Sequence, residues 1–209
     1  MTPITPVFLS ALTQSGLDRI VDGLAEELET QLDASDINTL LCRAHFLGQM
    51  SEETSGFTRL SESMSYSLTR IKQVWKDRSD IVKRAPQLAY EPEALANAVY
   101  AGVNGNGPES SGDGFAFIGR GGLMLSGRGN YKWIGDLIKV DLVSMPTMVA
   151  QPKLAVQTAI AFWNARDINQ AADDDDISAV TRLVNGGVNG LAMRAMMKHR
   201  ALKMLAANG

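Results

Sequence analysis

Residues 49–66, QMSEETSGFTRLSESMSY, join the end of a predicted helix to a serine-rich segment without regular pattern. The stretch carries two carboxylates, Glu53 and Glu62, nine positions apart. Glu53 falls where the helix should end, shortly before Gly56, whereas Glu62 lies in the irregular segment. Two carboxylates held by different local structures are what general acid and base chemistry on a glycosidic bond requires. We therefore take this pair as the candidate catalytic residues.

The segment before this stretch predicts a strong helix. Apolar side chains recur at helical spacing from Ile37 to Leu47, and Asp36 just before them is the predicted N-cap. The same spacing predicts further helices over residues 6–32 with a break near Gly16, 67–75, 81–88, 92–100, 130–138, 154–163, 177–184 and 188–205. The sequence therefore predicts a mainly α protein with at most a short β-hairpin near residues 115–126.

Two of these helices and the turn between them carry more detailed predictions. Residues 154–163, LAVQTAIAFW, are apolar enough to form the central buried helix of the domain. Asp176 is the predicted N-cap of the next helix, which should end at the Asn-Gly-Gly of residues 185–187. The four aspartates of residues 173–176 are otherwise interpreted as a solvated turn.

The composition excludes several classes of protein. Across 209 residues, 45% are hydrophobic and 21% are charged, as in an ordinary globular domain, and the net charge of −3 argues against broad binding to nucleic acid or membrane surfaces. The single cysteine, Cys42, excludes an intramolecular disulfide and is predicted to be a buried, inert thiol. Two histidines and one cysteine give no metal-ligand spacing, so we expect no metal site.

The first residues, MTPITPVFLSALTQSG, lack the basic start and apolar run of a signal peptide, and no apolar stretch reaches the length of a membrane span. We therefore expect a protein that is cytoplasmic as synthesised and does not insert into a membrane.

Residues 101–128 form the longest irregular region and are rich in glycine. Embedded aromatic and apolar side chains favour an ordered, functional loop over a disordered one. Its GRGG sequence, residues 119–122, lacks the lysine of a phosphate-binding loop. Arg120, between glycines that allow close backbone approach, is predicted to reach a buried carboxylate or a sugar. Taken singly, such motifs also have plain structural interpretations; Asn185, for example, could simply end a helix.

Four segments, taken in order, resemble glycoside hydrolase family 19, in particular its bacterial and phage members that act as chitinase-like lysozymes. They are AHFLGQMSEETSGF (44–57), LSESMSYS (60–67), YAGVNGNGPESSGDGFAFIGRGGLMLSGRGNY (100–131) and VTRLVNGGVNGLAMR (180–194). The resemblance is strongest over residues 43–200. It implies that residues 1–209 form one catalytic domain with a lysozyme-like, two-lobed helical fold and a central cleft.

The resemblance also implies roles for single residues. Glu53 matches the family's general acid, and Glu62 matches the general base that activates water. The candidate substrate-binding residues are Ser126, Asn130, Asn185, Arg194, Arg120 and Tyr66. Among these, Ser126 matches a residue that helps to hold the water, and Arg194 matches an arginine that supports the carboxylates. The family inverts the anomeric carbon, which requires carboxyl groups about 6.5–9.5 Å apart with room for water.

The sequence departs from the family pattern at several substrate-side positions. Glu52 replaces the usual histidine just before the acid, and Met124 stands where a glutamine usually contacts sugar. Phe115-Ala116 stands where a tryptophan and an arginine are common. These changes predict an altered substrate preference or a weakened catalysis.

Three hypotheses for function follow. The leading one is a bacteriolytic peptidoglycan hydrolase, an endolysin or lysozyme that cleaves the β-1,4 bonds of cell-wall glycan strands by inverting acid and base catalysis. The alternatives are a chitinase acting on N-acetylglucosamine polymers, and a non-catalytic glycan-binding protein that kept the fold. We expect a monomer that needs no cofactor and binds no nucleic acid. It would act on the wall after release or specialised export.

Overall fold

The computed structural model describes residues 1–207. Over these residues the chain forms twelve α-helices: α1 Pro6–Thr13, α2 Leu24–Asp33, α3 Leu40–Glu53, α4 Leu68–Val74, α5 Ser79–Leu88, α6 Pro92–Tyr100, α7 Asp113–Ala116, α8 Arg128–Ile138, α9 Pro152–Ala165, α10 Ile168–Asp173, α11 Ile177–Asn185 and α12 Leu191–Ala206. Short 3₁₀ helices lie at Leu17–Arg19, Glu109–Ser111 and Pro146–Ala150. The predicted mainly α fold is confirmed.

In place of the predicted hairpin, the described residues contain only isolated antiparallel bridges. Arg120 pairs with Ser61 on one side and with Leu125 on the other. The glycine-rich loop is thus ordered by single backbone contacts and by the short helix α7, and it contains no extended ladder of strands.

The chain divides into two compact units. Unit 1 comprises residues 1–60, the four residues 121–124 and the chain from residue 148 onward; unit 2 comprises residues 61–120 and 125–147. Helices α1–α3 and α9–α12 therefore belong to unit 1, and helices α4–α8 belong to unit 2.

The core of unit 1 is built around α3. Ten consecutive residues of this helix, from Cys42 to Ser51, are buried. Phe46 packs edge-on against Trp163 of α9, with ring centroids 5.3 Å apart. α12 approaches α3 closely at Gly48, where an added Cβ would lie 2.9 Å from the backbone nitrogen of Lys198. The absence of a side chain at residue 48 therefore lets α12 lie directly against α3.

Residues 121–124 attach to unit 1 through their backbone. The N–H of Gly121 donates to the carbonyl of Leu60 (2.9 Å), and the N–H of Gly122 donates to the carbonyl of Ala155 in α9 (3.1 Å). A Cβ at Gly122 would lie 2.9 Å from the terminal methyl of Met50 and 3.1 Å from that carbonyl oxygen. A side chain at residue 122 would therefore displace the end of Met50 and press on the backbone of α9.

Unit 2 has its own apolar core. Ten buried hydrophobic side chains form it, from Met64 through α4, α5 and α6 to Ile118. Tyr66 packs edge-on against Trp75 at the border of this core, with ring centroids 5.1 Å apart. Pro92 begins α6 at its first position, as predicted, because proline needs no N–H donor there.

The starts of α3 and α12 each lie three residues after the predicted ones. Asp36 is not the N-cap of α3; the helix begins at Leu40, and the Thr39 side chain accepts a hydrogen bond from the N–H of Cys42 (3.0 Å). Thr39 also donates to Asp173 (2.6 Å), a partner far along the sequence that fixes this residue as the cap. The last helix begins at Leu191 rather than Val188, because Gly190 at φ 72° turns the chain just before it.

The aspartates of residues 173–176 do more than form a solvated turn. Asp176 caps α11 as predicted, with its carboxylate accepting from the N–H of Ala179 (2.9 Å). Asp175, however, contacts the buried ring of His45 in α3 (2.8 Å) and the ammonium group of Lys198 in α12 (2.7 Å). The turn therefore ties two core helices together. Helix α10, which precedes it, was not predicted because it is only six residues long.

Cys42 is buried, as predicted, and burial raises the pKa of its thiol to about 11, which makes it unreactive at neutral pH. Within residues 1–207, no helix combines the length and the apolar character needed to cross a membrane.

Candidate active site

The turn that follows α3 fixes the position of Glu53, the last residue of the helix. The hydroxyl of Thr54 donates to the carbonyl of Met50 (2.7 Å) and accepts from the N–H of Phe57 (2.9 Å). The chain then reverses through residues 55–57, all with positive φ. The hydroxyl of Thr54 thus joins the end of the helix to the turn that follows it. The side chain of Glu53 remains 18% exposed.

Arg194 of α12 holds the carboxylate of Glu53. Its Nη2 donates to Oε1 of Glu53 (2.7 Å), and the guanidinium is only 3% exposed. A buried cation at this distance compensates the negative charge and fixes the orientation of the carboxylate. The arginine predicted to support the catalytic carboxylates therefore lies against the predicted acid. Its contacts are those of a positioning residue rather than of a surface group that binds substrate.

A buried glutamine holds Arg194 in turn. Oε1 of Gln49 accepts from Nη1 of Arg194 (2.7 Å), and Nε2 of Gln49 donates to the hydroxyl of Thr181 in α11 (3.1 Å). Gln49 is fully buried, four residues before Glu53 on α3. The glutamine therefore faces the same side of the helix as the acid and links three helices through polar contacts.

Asn185 lies at the end of α11 and is exposed. Its Nδ2 donates weakly to the carbonyl of Asn189 (3.4 Å), the same oxygen that accepts from Nε of Arg194 (3.0 Å). Unit 1 thus brings Glu53, Arg194 and Asn185 into one connected network. The predicted role of Asn185 in substrate contact stays a prediction.

Glu62 is held within unit 2 by backbone and side-chain contacts. Its N–H donates to the carbonyl of Gly119 (2.9 Å), and its Oε1 accepts from the N–H of Gly119 (2.7 Å). Its Oε2 accepts from the hydroxyl of Tyr100 (3.0 Å). Both carboxylate oxygens therefore have a donor, although the surrounding chain has no regular secondary structure.

Tyr100 remains a hydrogen-bond donor over the whole physiological range. Burial of the phenol raises its pKa well above the usual 10, and the negative charge of Glu62 raises it further. A tyrosine held protonated in this way donates permanently to the carboxylate beside it.

Arg120 reaches no carboxylate among the residues that the structure describes, so of its two predicted partners only contact with a sugar stays a prediction. The guanidinium is 5% exposed and forms no ion pair with the residues that the structure describes. Its Nη1 donates to the carbonyl of Ala116 (2.7 Å) and to the hydroxyl of Tyr131 (3.2 Å), and that hydroxyl donates to the carbonyl of Ile118 (2.8 Å). Arg120 therefore supports the loop from within, because the loop folds over it.

The other predicted substrate-binding residues of unit 2 are partly exposed. Nδ2 of Asn130 donates to the carbonyl of Ser126 (2.8 Å), which places the two residues on neighbouring turns at the start of α8. Tyr66 presents its ring beside Trp75. The hydroxyl groups of Ser126 and Tyr66 and the Oδ1 atom of Asn130 form no hydrogen bond within residues 1–207, so they are available to a ligand.

The sequence profile of the family described as Chitinase class I matches residues 33–183 of the chain. A Haemophilus influenzae protein named as a glycosyl hydrolase family 19 domain-containing protein is 32% identical over 186 residues, which cover 87% of this chain and 88% of that protein. The chain belongs to glycoside hydrolase family 19. A shorter stretch of 95 residues, 36% of the chain and 38% of the relative, is 33% identical to the acidic 27 kDa endochitinase of Solanum lycopersicum.

Solved structures of family 19 chitinases share the fold. Chitinase C from Streptomyces griseus superposes with a TM-score of 0.62 at 18% identity, covering 97% of this chain and 76% of that one. Another bacterial family 19 chitinase gives a TM-score of 0.61 at 18% identity, covering 97% and 95% of the two chains. The protein is therefore a chitinase-like glycoside hydrolase with the family 19 fold.

Two residues of this family 19 hydrolase were missed in the sequence, Gln49 and Tyr100. Gln49 has a weak local signal, since it precedes Glu53 by one helical turn. Tyr100 has no such signal, because it lies 38 positions from Glu62 in the sequence. Gln49 is linked to the carboxylate of Glu53 through Arg194, and Tyr100 donates directly to Glu62. Both contacts arise only when the chain folds.

Proposed function

We propose that this family 19 hydrolase cleaves the β-1,4 bonds of peptidoglycan glycan strands by an inverting mechanism, with Glu53 as general acid and Glu62 as general base. The observation that carries the assignment of the acid is the fixed orientation that Arg194 gives to its carboxylate. Only Oε1 of Glu53 is engaged; Oε2 forms no hydrogen bond within residues 1–207. Oε2 is the oxygen that we assign to carry the proton to the leaving glycosidic oxygen.

Glu62 is suited to the opposite role. Its two oxygens accept from the N–H of Gly119 and the hydroxyl of Tyr100, and an ionised carboxylate oxygen keeps a further lone pair for a water molecule. The base would take a proton from that water as it attacks the anomeric carbon from the face opposite the leaving group.

Changes at positions where the family usually contacts sugar are consistent with a preference other than chitin. By the resemblance to the family, Met124 stands where a glutamine is usual, and Phe115-Ala116 stands where a tryptophan and an arginine are common. These changes remove polar contacts suited to an N-acetylglucosamine polymer. They leave Glu53, Glu62 and Arg194 in place.

Replacement of the acid tests the mechanism. We expect Glu53→Gln to lower the release of reducing ends from purified sacculi by at least about 100-fold, since general acid catalysis contributes roughly 10²–10⁴-fold. Glu26→Gln, which removes an exposed carboxylate of α2, should retain full activity. Both variants should unfold at the wild-type urea concentration. A Glu53→Gln protein as active as the wild type would exclude the assignment.

Fragment analysis tests the substrate and the stereochemistry. Mass spectrometry of digested sacculi identifies the sugar at the new reducing end, and proton NMR of the fresh product should show the α-anomer if the enzyme inverts.

A chitinase acting on N-acetylglucosamine polymers is the second candidate. It is favoured by the tomato relative, an acidic endochitinase, and by the chitinases that share the fold. Hydrolysis of chitin oligosaccharides alone would select it.

A further inference from the structure

A cavity of about 340 Å³ lies in unit 1 beside the end of α3. Its wall is formed by the segment after α1, by the last turn of α3 and by one face of α12. Its volume falls within the range of about 300–1,000 Å³ found for small-molecule sites. None of the predicted site residues lines it, so it is a separate feature of the molecule.

The cavity contains two opposite charges that do not neutralise each other. The side chain of Glu52 forms no hydrogen bond or ion pair within residues 1–207. Arg200 donates one hydrogen bond to the carbonyl of Leu12 (3.3 Å) and likewise forms no ion pair there. Both side chains are half-buried and line the same space. Partly desolvated charges without an oppositely charged partner favour a ligand that supplies one.

The carboxylate of Glu52 is held against the start of α12. A Cβ added at Gly190 would lie 2.7 Å from Oε1 of Glu52, so the carboxylate lies directly over this glycine. Met193 and Met196 on the same helix are 44% and 40% exposed and form an apolar rim. Methionine side chains adapt to irregular apolar groups, so charge recognition is combined with a flexible apolar contact.

These contacts define the chemistry of the ligand. It carries a cationic group for Glu52, an anionic group for Arg200 and a short apolar portion for the methionines. A polymer of N-acetylglucosamine is neutral and lacks both charges. The peptide stem attached to the muramic acid residues of peptidoglycan carries carboxylates and, on its diamino acid, an amino group. We infer that this cavity binds the stem peptide, an inference that rests on the proposed peptidoglycan substrate.

The position of Glu52 fits this role. It directly precedes the proposed acid Glu53, and successive residues of an α-helix project about 100° apart. The cavity that Glu52 lines therefore lies about 100° around α3 from the proposed acid, at the same end of the helix. Glu52 stands where the family usually has a histidine, so the charge is a feature of this chain.

Matched glycans with and without peptides test the inference. We expect the wild type to show a kcat/KM at least about fivefold higher on peptide-bearing strands than on strands from which an amidase has removed the peptides. Glu52→Gln and Arg200→Gln should each reduce this ratio toward 1. Glu26→Gln and Arg70→Gln, which remove exposed charges elsewhere, should leave it unchanged. A ratio in Glu52→Gln and Arg200→Gln equal to that of the wild type would overturn the inference.

Direct binding separates this inference from the proposed function. With carbon-13 in the methionine methyl groups, addition of a muramyl tripeptide ending in diaminopimelate should shift the NMR signals of Met193 and Met196. N-acetylmuramic acid alone should not shift them, and neither ligand should do so in Glu52→Gln. If the protein hydrolyses only chitin, the proposed function fails, and the methyl shifts still decide whether the cavity binds the peptide. Absence of these shifts in the wild type would refute the site.

Discussion

Arg194 donates from all three nitrogens of its guanidinium, to Asn189, Gln49 and Glu53. A side chain with this many charge-assisted bonds has one orientation, and the carboxylate that it holds shares this restriction. At the scale of the residue, the position of the proposed acid is therefore set by a chain of contacts that begins at Gln49.

Gln49→Leu tests this chain of contacts. The substitution keeps a buried side chain of similar size but removes the acceptor for Arg194. We expect kcat to fall about tenfold with KM changed less than twofold, equivalent to roughly 1.4 kcal/mol of transition-state stabilisation. Steady-state kinetics on soluble glycan fragments measure both constants.

The conservative variant Gln49→Glu, which keeps an acceptor oxygen, should recover much of the lost kcat. Urea unfolding of both variants separates a loss of stability from a loss of positioning. A Gln49→Leu enzyme with the wild-type kcat would show that Arg194 keeps its place without the glutamine.

The sequence predicted part of this site for a clear physical reason. Glu53 and Arg194 were placed together by resemblance to the family, and the helix end at Glu53 followed from the local pattern. Gln49 was missed because 145 residues separate it from Arg194, and a glutamine one turn before a carboxylate is common on solvent-exposed helices. For Arg120 the sequence left a carboxylate and a sugar open as partners, because its flanking glycines indicate close packing but do not identify the partner, and the structure excludes only the carboxylate among residues 1–207.

At the scale of the element, the approach of α12 to α3 positions Arg194. A Cβ at Gly48 would lie 2.9 Å from the backbone nitrogen of Lys198 and 3.0 Å from the carbonyl oxygen of Arg194. Both are backbone atoms, so α12 as a whole would have to move.

Gly48→Ala should therefore destabilise the protein and reduce activity together. We expect the free energy of unfolding to fall by about 1–2 kcal/mol, because overpacking costs roughly 1–3 kcal/mol and the gain in helix propensity, about 0.5–1 kcal/mol, offsets part of it. Gly187→Ala is the matched control, since no atom lies within 4 Å of an added Cβ there. Urea unfolding checks both. Equal stability of the two variants would mean that α12 can shift at little cost.

Helix boundaries were predictable where their signals are local. Pro92 at the start of α6 and Asp176 before α11 both act through neighbouring backbone groups, and both predictions are confirmed. Asp36 was wrong as a cap because Thr39 is fixed by Asp173, 134 residues away. Such long-range partners leave no trace in the periodicity of either helix.

At the scale of the whole molecule, a buried histidine couples stability to pH. His45 is fully buried, its Nε2 contacts Asp175, and its Nδ1 has no hydrogen-bond partner within the described residues. Burial lowers the pKa of His45 below its ordinary 6.5, and the nearby Lys198 lowers it further, although Asp175 and Asp176 oppose the shift.

We expect the free energy of unfolding to fall as the pH drops from about 6.5 towards 5. Below pH 6.5 the unfolded chain binds a proton at residue 45 that the folded protein resists, so protonation favours unfolding. The pKa of Asp175 is lowered, chiefly by its hydrogen bond with Lys198, so its contribution is lost only below its ordinary 3.8. Urea unfolding of the wild type and His45→Gln at pH 7.5, 6 and 5 measures the free energy of unfolding at each pH. This free energy should change less steeply with pH in the variant.

Substitution of the exposed His199 by glutamine provides the control and should keep the wild-type slope. A slope in His45→Gln as steep as in the wild type would assign the pH dependence to other groups.

The path of the chain limits how this protein can be recombined with its relatives. Because the backbone passes between the units after residues 60, 120, 124 and 147, unit 1 consists of three separate sequence segments. A gene fragment encoding residues 61–147 therefore also transfers residues 121–124, whose glycines fit against Leu60 and Ala155 of the recipient. A chimera that exchanges unit 2 needs two fragments and must retain these four codons of the host gene. A single-fragment exchange between diverged homologues would place a foreign glycine turn against the core of unit 1.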